Sequence, residues 1–281
     1  MSSSSEPLKT ILNKPHKKAM NVDTAIDAKI VNEIQNHLLE IEKEHNVIIL
    51  QAIESGSRAW GFPSPDSDYD VRFIYAHHKD WYLQLNEERD VIELPINDEL
   101  DIAGWDLRKA LNLANNGNAV IQEWMISPIV YKQADSFLQL SELISKAFNP
   151  ISTYHHYRSM AKKAHADLEQ SEQKKLKRFF YFARATLSAK WILKKQTVPS
   201  IEFSDLTNEL IADQNTAREI DNLVKQKASE SEKSVLNVPV EIYSTFTKIF
   251  ASLEENFSVK SNAQVIISNH DFRNFMDRTI R

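Results

Sequence analysis

The chain has 281 residues and a formal net charge of -5, with 42% hydrophobic and 26% charged residues, which is ordinary composition for one or two globular domains. It contains no Cys, which excludes disulfides, thiolate catalysis and zinc–thiolate sites and fits a reducing, cytoplasmic compartment. Its apolar stretches are all too short to span a membrane.

The N-terminal segment predicts a tail followed by a helix. Residues 1–22 begin with a serine run and lack the apolar core of a signal peptide, so we expect a disordered tail. Apolar residues then recur at helical spacing from about Asp23 to Glu44. We expect this helix to pack on the sheet in front of the first strand.

A turn suited to phosphate binding follows the first predicted strand. The apolar run from Val47 to Ile53 predicts a buried strand, and Gly56 and Ser57 come directly after its polar end. Two of the chain's 4 Gly, Gly56 and Gly61, fall in this stretch. Absent or small side chains let backbone N–H groups approach phosphate oxygens, and Ser57 adds a hydroxyl donor.

The next strand places charged side chains on one face. From Asp68 to Tyr75 the period of two puts Asp68, Asp70 and Arg72 together. The opposite face is apolar and carries Tyr69, Val71 and Phe73. Two carboxylates one strand repeat apart repel each other unless a cation lies between them, and hard oxygen ligands suit Mg²⁺. The pattern therefore predicts a divalent metal site.

Strand, Gly-Ser turn, spacer and Asp-x-Asp strand together resemble the signature of the DNA polymerase beta nucleotidyltransferase superfamily. The amino-acid sequences from Glu54 to Gly61 and from Ser67 to Arg72 resemble those of predicted nucleotidyltransferases called RNA-ligase-associated polymerases. Three later segments are similar to the same family: Asp101 to Lys109, Glu123-Trp124 and Ser127-Pro128. The resemblance covers roughly residues 46 to 195.

The resembled superfamily usually has a third carboxylate on a neighbouring strand, which leaves two candidates. Asp101 lies on the polar face of the short strand Leu100 to Ala103. Asp106 instead precedes an amphipathic helical stripe and is suited to be its N-cap. We prefer Asp101, with Asp106 as the alternative.

The resemblance also implies a division of roles. Two metal ions, Mg²⁺ or Mn²⁺, would support in-line attack at the α-phosphate of a nucleoside triphosphate, with pyrophosphate leaving. Asp68 and Asp70 would bridge both ions, and Asp101 would bind the catalytic one and could accept the proton of the attacking hydroxyl. Gly56 and Ser57 would hold the outer phosphates.

Arg58 and Arg72 flank this predicted site and have two interpretations. Each could serve as a charge partner of the bound nucleotide. Each could equally form a salt bridge to a neighbouring Asp or Glu. The sequence leaves both interpretations open.

The pattern changes near Asn149-Pro150. We predict a mixed-sheet catalytic domain over residues 23–149 and an α-helical bundle over 150–281, an α+β fold. Within the bundle we expect helices from Ile151 to Leu168 and from Glu172 to Lys195. A later helix carries an apolar stripe formed by Tyr243, Phe246, Phe250, Leu253 and Phe257. Glu123-Trp124 is expected to anchor the two domains to each other.

The helix from Glu172 to Lys195 has a second face of basic and aromatic residues. This face carries Lys177, Tyr181, Arg184, Ser188 and Trp191, and no acidic residue occurs between Gln173 and Ile201. It could receive the triphosphate or a polyanionic acceptor, with Arg184 as the first choice and Lys177 and Tyr181 next. The alternative is a solvated basic helix face.

Two further segments are expected to have no role in the chemistry. His155 and His156 are adjacent on a helix and point about 100° apart, so they are unsuited to bind one metal ion together. The run from Lys227 to Lys233, rich in Ser and Glu, predicts a solvated helix end or loop.

Three classes of function remain. The first is a nucleotidyltransferase that adds a nucleotide to an RNA 3′ end, an expectation by analogy with the resembled family. The second is the same chemistry on a protein or small-molecule hydroxyl, which the net negative charge favours over long nucleic acids. The third is a non-catalytic nucleotide-binding module, which the three candidate carboxylates disfavour. The sequence does not specify the preferred nucleotide or an oligomeric state.

Overall fold

The computed structural model describes residues 26–86, 88–96, 99–170, 175–231, 237–255 and 265–280. They form a five-stranded mixed sheet with flanking helices, followed by a helical bundle, so the predicted α+β fold is confirmed. The predicted tail over residues 1–22 lies outside the described residues. Within the described ranges, the helices all lack the combination of length and apolar character needed to cross a membrane.

The sheet brings the starts of two strands to one edge. Its strands are β1 (Val47–Glu54), β2 (Tyr69–His77), β3 (Val91–Glu93), β4 (Leu100–Asp106) and β5 (Val130–Gln133). They are ordered β3-β4-β2-β1-β5. The β2–β4 pair is parallel and the other pairs are antiparallel. Residues at the N-terminal ends of β2 and β4 therefore lie next to each other.

The helices follow in chain order. In the sheet domain they are α1 (Ala28–His45), α2 (Gly56–Ala59), α3 (Leu107–Asn115), α4 (Ala119–Met125) and α5 (Phe137–Lys146), with a short 3-10 helix over Lys79–Leu83. The remainder are α6 (Pro150–Glu169), α7 (Leu176–Lys195), α8 (Phe203–Leu210), α9 (Gln214–Ser229), α10 (Val240–Glu255) and α11 (Asn269–Thr279).

Helix α1 covers one face of the sheet, as predicted. Its first turn is capped by Asp27, whose side chain accepts a hydrogen bond from the Lys29 backbone N–H. It ends at Asn46 in the left-handed conformation, which turns the chain directly into β1. Its buried residues Ile34, Leu38 and Ile41 pack on the apolar face of β1, β2 and β4. The predicted start at Asp23 lies outside the described residues.

The predicted bundle helices are present with small changes of bounds. Helix α6 matches the prediction within one residue at each end. Helix α7 begins at Leu176, whereas residues 171–174 lie outside the described part of the chain. Leu176, Phe180, Ala183 and Leu187 are buried in the bundle core, as expected from their spacing. Of the predicted stripe on α10, Phe257 lies outside the described residues.

The end of the chain departs from the predicted division into residues 23–149 and 150–281. Helix α11 packs on the sheet domain rather than in the bundle core. Its buried residues Phe275 and Met276 join the cluster formed by β1, β2, α3, α4 and α5. The sheet domain thus uses residues from both ends of the described chain, because α11 supplies part of its apolar cover.

Candidate active site

The turn after β1 is packed directly against the first residues of β2. Gly56 has φ +62°, and a Cβ atom there would lie 2.0 Å from Oδ2 of Asp70. Only glycine combines this backbone conformation with so close an approach. The Ser55 backbone N–H donates to the Asp70 carbonyl oxygen at 2.8 Å. The turn and the Asp70 carboxylate therefore form one continuous surface.

Asp70 and Asp101 lie side by side because they are paired in register across β2 and β4. Side chains at one register position of neighbouring strands extend from the same face. Asp68 lies one residue before β2 and is exposed. Burial raises the pKa of Asp70; Arg72 opposes this, and the charges of Asp101 and Asp68 add to it. The three predicted carboxylates therefore interact electrostatically at this edge of the sheet.

Asp106, the alternative third carboxylate, is a helix cap at the other end of β4. Its Oδ1 accepts a hydrogen bond from the Arg108 backbone N–H at 2.7 Å, as the sequence predicted for an N-cap. Its Oδ2 accepts from the Tyr82 hydroxyl at 2.7 Å. Burial raises the pKa of Asp106, and these hydrogen bonds partly offset that effect. Both carboxylate oxygens are thus engaged away from Asp70.

The two arginines have different roles in the structure. Nη2 of Arg72 lies 2.6 Å from Oδ2 of Asp101 and 3.3 Å from Oδ1 of Asp70, which matches the salt-bridge interpretation. Arg58 instead donates to the backbone carbonyl oxygens of Ser67 and Asp68, at 2.6 and 3.3 Å. Its guanidinium also lies 3.8 Å from the centre of the Tyr69 ring. Arg58 therefore holds the segment that presents Asp68.

The carboxylates of Asp70 and Asp101 fit a divalent cation in donor type. Among the residues that the structure describes, no group of three or more His, Cys, Asp or Glu side chains is clustered as a ready metal site. One cationic group, the Arg72 guanidinium, nevertheless contacts the carboxylates of Asp70 and Asp101 at the same time. Hard carboxylate oxygens of this kind suit Mg²⁺. The carboxylates of Asp70 and Asp101 are thus close enough to share one cation. A metal ion would compete with the Arg72 guanidinium for these two carboxylates.

Helix α7 contributes two exposed residues, Lys177 and Tyr181, near the carboxylates. Lys177 is exposed, and its charge acts on Asp70 to lower the pKa of that carboxyl. Tyr181 is 37% exposed and packs edge-on against Trp60, with ring centroids 5.2 Å apart. Lys177 and Tyr181 therefore lie close to elements of the candidate site.

Arg184 does not face solvent as the sequence led us to expect. Its side chain is only 3% exposed and forms an ion pair of 2.9 Å with Glu123 of α4. Its guanidinium lies 4.4 Å from the Trp60 ring centre. Ser188, predicted on the same face, is also buried. The expected basic face is therefore exposed only around its first turns, and Arg184 joins α7 to the sheet domain.

Glu54 is a buried carboxylic acid beneath the site that the sequence reading did not single out. It is fully buried and accepts hydrogen bonds from the Asp70 backbone N–H at 3.0 Å and the Tyr131 hydroxyl at 2.6 Å. Burial raises the pKa of Glu54 to about 7, although the Tyr131 hydrogen bond opposes this. One signal in the sequence could have identified Glu54: it is an acidic residue at the end of an apolar run, just before the Gly-Ser turn.

The helical bundle packs against the spacer between α2 and β2, residues 60–68. Phe62 is fully buried among the aromatic side chains of the bundle core. Lys227 of α9 donates from Nζ to Oγ of Ser64 at 2.9 Å, and the Ser231 hydroxyl donates to Asp66 at 2.6 Å. The expectation of a solvated segment is wrong for Lys227, which is 4% exposed. The spacer that leads to Asp68 is thus held between the two parts of the molecule.

Comparisons with known proteins agree with the class of protein that this site indicates. The family match supports an enzyme of the nucleotidyltransferase type. The model of the RNA repair pathway DNA polymerase beta family matches residues 30–269. The chain belongs to this family.

A curated relative and a solved structure illustrate what the chain is similar to. The uncharacterized protein YcgL of Bacillus subtilis (strain 168) is 46% identical over 195 residues, which cover 69% of this chain and 75% of YcgL. A crystal structure of a nucleotidyltransferase-like protein from Exiguobacterium sibiricum aligns with 88% of this chain and 81% of its own, at 10% identity and a TM-score of 0.31. A structural likeness this weak supports no argument about function.

Proposed function

We propose that this chain is a metal-dependent nucleotidyltransferase that transfers a nucleoside monophosphate from a nucleoside triphosphate to the 3′ hydroxyl of an RNA. The observation that carries the proposal is the register of Asp70 with Asp101, with the Gly56 turn packed against Asp70. This arrangement unites adjacent carboxylates and a phosphate-binding turn at one edge of the sheet. The family's description places its members in an RNA repair pathway, which supports RNA as the acceptor.

The carboxylates of Asp68, Asp70 and Asp101 would hold Mg²⁺ or Mn²⁺. When bound, the metal supplies positive charge that orients the triphosphate and stabilises the charge that develops during transfer. Arg72 contacts Asp70 and Asp101 and limits their mutual repulsion while no other cation neutralises them. Glu54, through its hydrogen bond from the Asp70 backbone, fixes the start of β2 on which this carboxylate stands.

The nucleotide would lie between the turn and helix α7. Backbone N–H groups at Gly56 and Ser57 would receive the outer phosphates, because the side chains of these two residues are absent or small. Lys177, whose charge already acts on Asp70, would add positive charge on the facing side. Tyr181 and Trp60 offer an exposed aromatic edge for the base. Arg58 would act indirectly, by holding the backbone that presents Asp68.

In the transfer step the acceptor hydroxyl oxygen forms a bond to the α-phosphorus. The bond from that phosphorus to the bridging oxygen breaks, and pyrophosphate leaves with the bonding electron pair. The hydroxyl proton passes to the carboxylate of Asp101, which is partly exposed and not committed to a helix cap as Asp106 is. Asp68 and Asp70 would serve as ligands of the metal and take no part in this proton transfer.

A protein or small-molecule hydroxyl is the second candidate acceptor. The formal net charge of -5 favours it, because proteins that track long nucleic acids usually carry a wider basic surface. Basic residues of this chain are nevertheless concentrated on α6 and α7, and one of them, Lys177, acts on Asp70. This local concentration is the reason to place RNA first.

The proposal is tested by incubating the protein with each α-labelled nucleoside triphosphate and Mg²⁺ or Mn²⁺. The acceptor is a single-stranded RNA, a cell protein fraction or nothing. We expect metal-dependent label on the RNA, and loss of at least about 100-fold in rate for an Asp68→Ala/Asp70→Ala variant. Label on the protein fraction alone would move the function to the second candidate.

A matched control uses Asp80, an exposed aspartate remote in the fold from the Gly-Ser turn. Asp80→Ala removes one surface carboxylate without touching Asp68, Asp70 or Asp101, and should leave the transfer rate unchanged. Unchanged metal-dependent transfer in the double variant would contradict the assignment of the metal-binding residues. Comparable melting temperatures of the variants would confirm that a lost rate is not lost folding.

A further inference from the structure

A groove of about 630 Å³ lies between the α3–α4 turn and helix α6, apart from the carboxylate edge. Leu113 and Met160 contribute apolar surface to it, and Asn118, His155 and Lys163 contribute polar groups. No acidic residue is among those that line the groove. Grooves of a few hundred Å³ that combine an apolar lining with a few polar groups are typical ligand sites.

The surface around the groove is basic although the whole chain is acidic. Helix α6 carries no acidic residue from Pro150 to Ala166, where it carries Arg158, Lys162 and Lys163. Lys162 and Lys163 are both exposed, and neither forms an ion pair with another residue that the structure describes. Within a net charge of -5, such a stretch attracts a polyanion locally.

The turn that forms the opposite wall is rigid. Gly117 has φ +71°, and a Cβ atom there would lie 2.6 Å from Cβ of Ser152, so the turn is packed tightly on α6. The side chain of Asn118 caps α4 by accepting from the backbone N–H groups of Val120 and Ile121. A wall fixed in this way keeps the groove open without a ligand, which lowers the entropic cost of binding.

We propose that this groove binds a single-stranded segment of the RNA acceptor, upstream of the 3′ end that would enter the carboxylate edge. Lys163 would contact a phosphate, and the apolar surface of Leu113 and Met160 would contact the base of the same or the next nucleotide. The identity of this ligand rests on the proposed function. The apolar part of the lining favours a single strand, because unpaired bases are free to contact it.

The groove and the carboxylate edge lie on one pair of packed helices. Tyr154 and Tyr157 of α6 pack with Ala189 and Ile192 near the end of α7, whereas Lys177, at its start, acts on Asp70. A strand of several nucleotides that follows this pair of helices could therefore contact both sites.

The test compares two adjacent lysines of α6. Lys162 and Lys163 have the same charge and similar exposure, but only Lys163 lines the groove. Binding of a labelled single-stranded RNA of about 12 nucleotides is followed by fluorescence anisotropy over a series of salt concentrations. We expect Lys163→Ala to weaken RNA binding roughly three- to fivefold and to reduce the salt slope by about 0.7, the contribution of one phosphate contact. We expect Lys162→Ala to have less than half of this effect.

Three outcomes would overturn the proposal. Equal losses in the Lys162→Ala and Lys163→Ala variants would indicate diffuse attraction without a site. No loss in either variant would exclude the groove from RNA binding. Lost affinity for a nucleoside triphosphate in Lys163→Ala, measured by calorimetry, would indicate that the groove belongs to the nucleotide site.

The measurement is independent of catalysis. It needs no nucleoside triphosphate, and it can be repeated in the Asp68→Ala/Asp70→Ala background, where groove binding should persist. An absence of nucleotide transfer would therefore contradict the proposed function while leaving the binding result readable. Melting temperatures of both lysine variants within the error of the parent chain exclude a folding effect.

Discussion

Gly56 and Asp70 are packed so closely that the turn and the carboxylate depend on each other. A side chain at position 56 would meet Oδ2 of Asp70 at 2.0 Å, and the backbone there has φ +62°. Beneath them, Glu54 accepts a hydrogen bond from the Asp70 backbone N–H and is itself held by Tyr131. The position of the Asp70 carboxylate is therefore set from two sides, by the turn and by a buried acid.

Gly56→Ala is expected to slow nucleotide transfer by displacing the Asp70 carboxylate. The left-handed backbone would also cost about 1–2 kcal/mol of stability, since a Cβ is disfavoured there. The transfer rate and the denaturant midpoint of the variant measure the two effects separately. We expect a rate loss of at least about tenfold beyond what the lower stability explains.

Gly61→Ala is the matched control for this substitution. Gly61 also has a positive φ, +85°, but a Cβ atom there would have no neighbour within 4 Å. Its variant should lose similar stability and keep the transfer rate. Equal rate losses in both variants would show that backbone strain, and not the contact with Asp70, is responsible.

Helix α7 serves two purposes along its length. Its start carries Lys177, whose charge reaches Asp70, and Tyr181, which packs against Trp60. Its middle carries Arg184, which is buried against Glu123 of α4. The hydroxyl of Tyr157 also donates to the Glu123 carboxylate, so α4, α6 and α7 meet at one ion pair. One helix thus supports the candidate site at one end and joins it to the sheet domain in its middle.

Arg184→Ala is expected to destabilise the fold and leave nucleotide affinity unchanged. Removing one partner of a buried ion pair costs about 3–5 kcal/mol, because it leaves an uncompensated charge. Chemical denaturation measures the stability, and calorimetric titration with a nucleoside triphosphate measures the affinity at a temperature where the variant is folded. Weakened nucleotide binding with normal stability would contradict the structural role of Arg184.

Lys177→Ala provides the converse test on the same helix. Because Lys177 is exposed and acts on Asp70, its removal should weaken nucleotide affinity severalfold and leave the denaturant midpoint nearly unchanged. Together, the Lys177→Ala and Arg184→Ala variants distinguish nucleotide binding at the start of α7 from a structural role in its middle. An identical pattern in both would mean that α7 acts as one structural element without a distinct nucleotide contact.

The sheet domain is completed by the last described helix. Phe275 and Met276 of α11 are buried with Trp124, Leu140 and other residues of the sheet domain. The spacer between α2 and β2 makes the reverse contact, since Phe62 is buried in the bundle core. The two parts of the molecule therefore hold each other, and Asp68 follows the segment on which they meet.

Phe275→Ala is expected to destabilise the sheet domain although it lies near the end of the chain. Large-to-small changes at a buried Phe cost about 3–5 kcal/mol, through lost transfer energy and a residual cavity. Hydrogen exchange should show lower protection in β1 and β2 before it falls in α6 and α7. Loss of protection in the bundle first would contradict the packing of α11 on the sheet.

Phe272→Ala is the control on the same helix. Phe272 is only partly buried and packs edge-on against Tyr82, with ring centroids 5.3 Å apart. Its truncation should cost clearly less than that of Phe275, because less apolar surface is lost and solvent can fill the space. A larger effect at Phe272 would show that α11 is held by its outer rather than its inner face.

Local patterns in the sequence were sufficient to predict the strands at the site, the long helices and the N-cap role of Asp106. These features depend on the alternation of side chains over a few residues, which any neighbouring structure leaves intact. The Gly-Ser turn and the Asp-x-Asp strand lie close together in sequence, and their resemblance to the nucleotidyltransferase superfamily indicated nucleotidyl transfer. Asp68, Asp70 and Asp101 remain the proposed metal ligands on that basis.

Contacts between distant segments could be obtained only from the folded chain. Arg184, Lys227 and Glu54 carry charges that the sequence placed in solvent or left unassigned, and each is buried against a partner far along the chain or across a strand. Which partner meets a charge depends on how strands and helices are arranged, and periodicity within one segment does not encode this arrangement. The same reason explains why α11 was assigned to the bundle although it packs on the sheet.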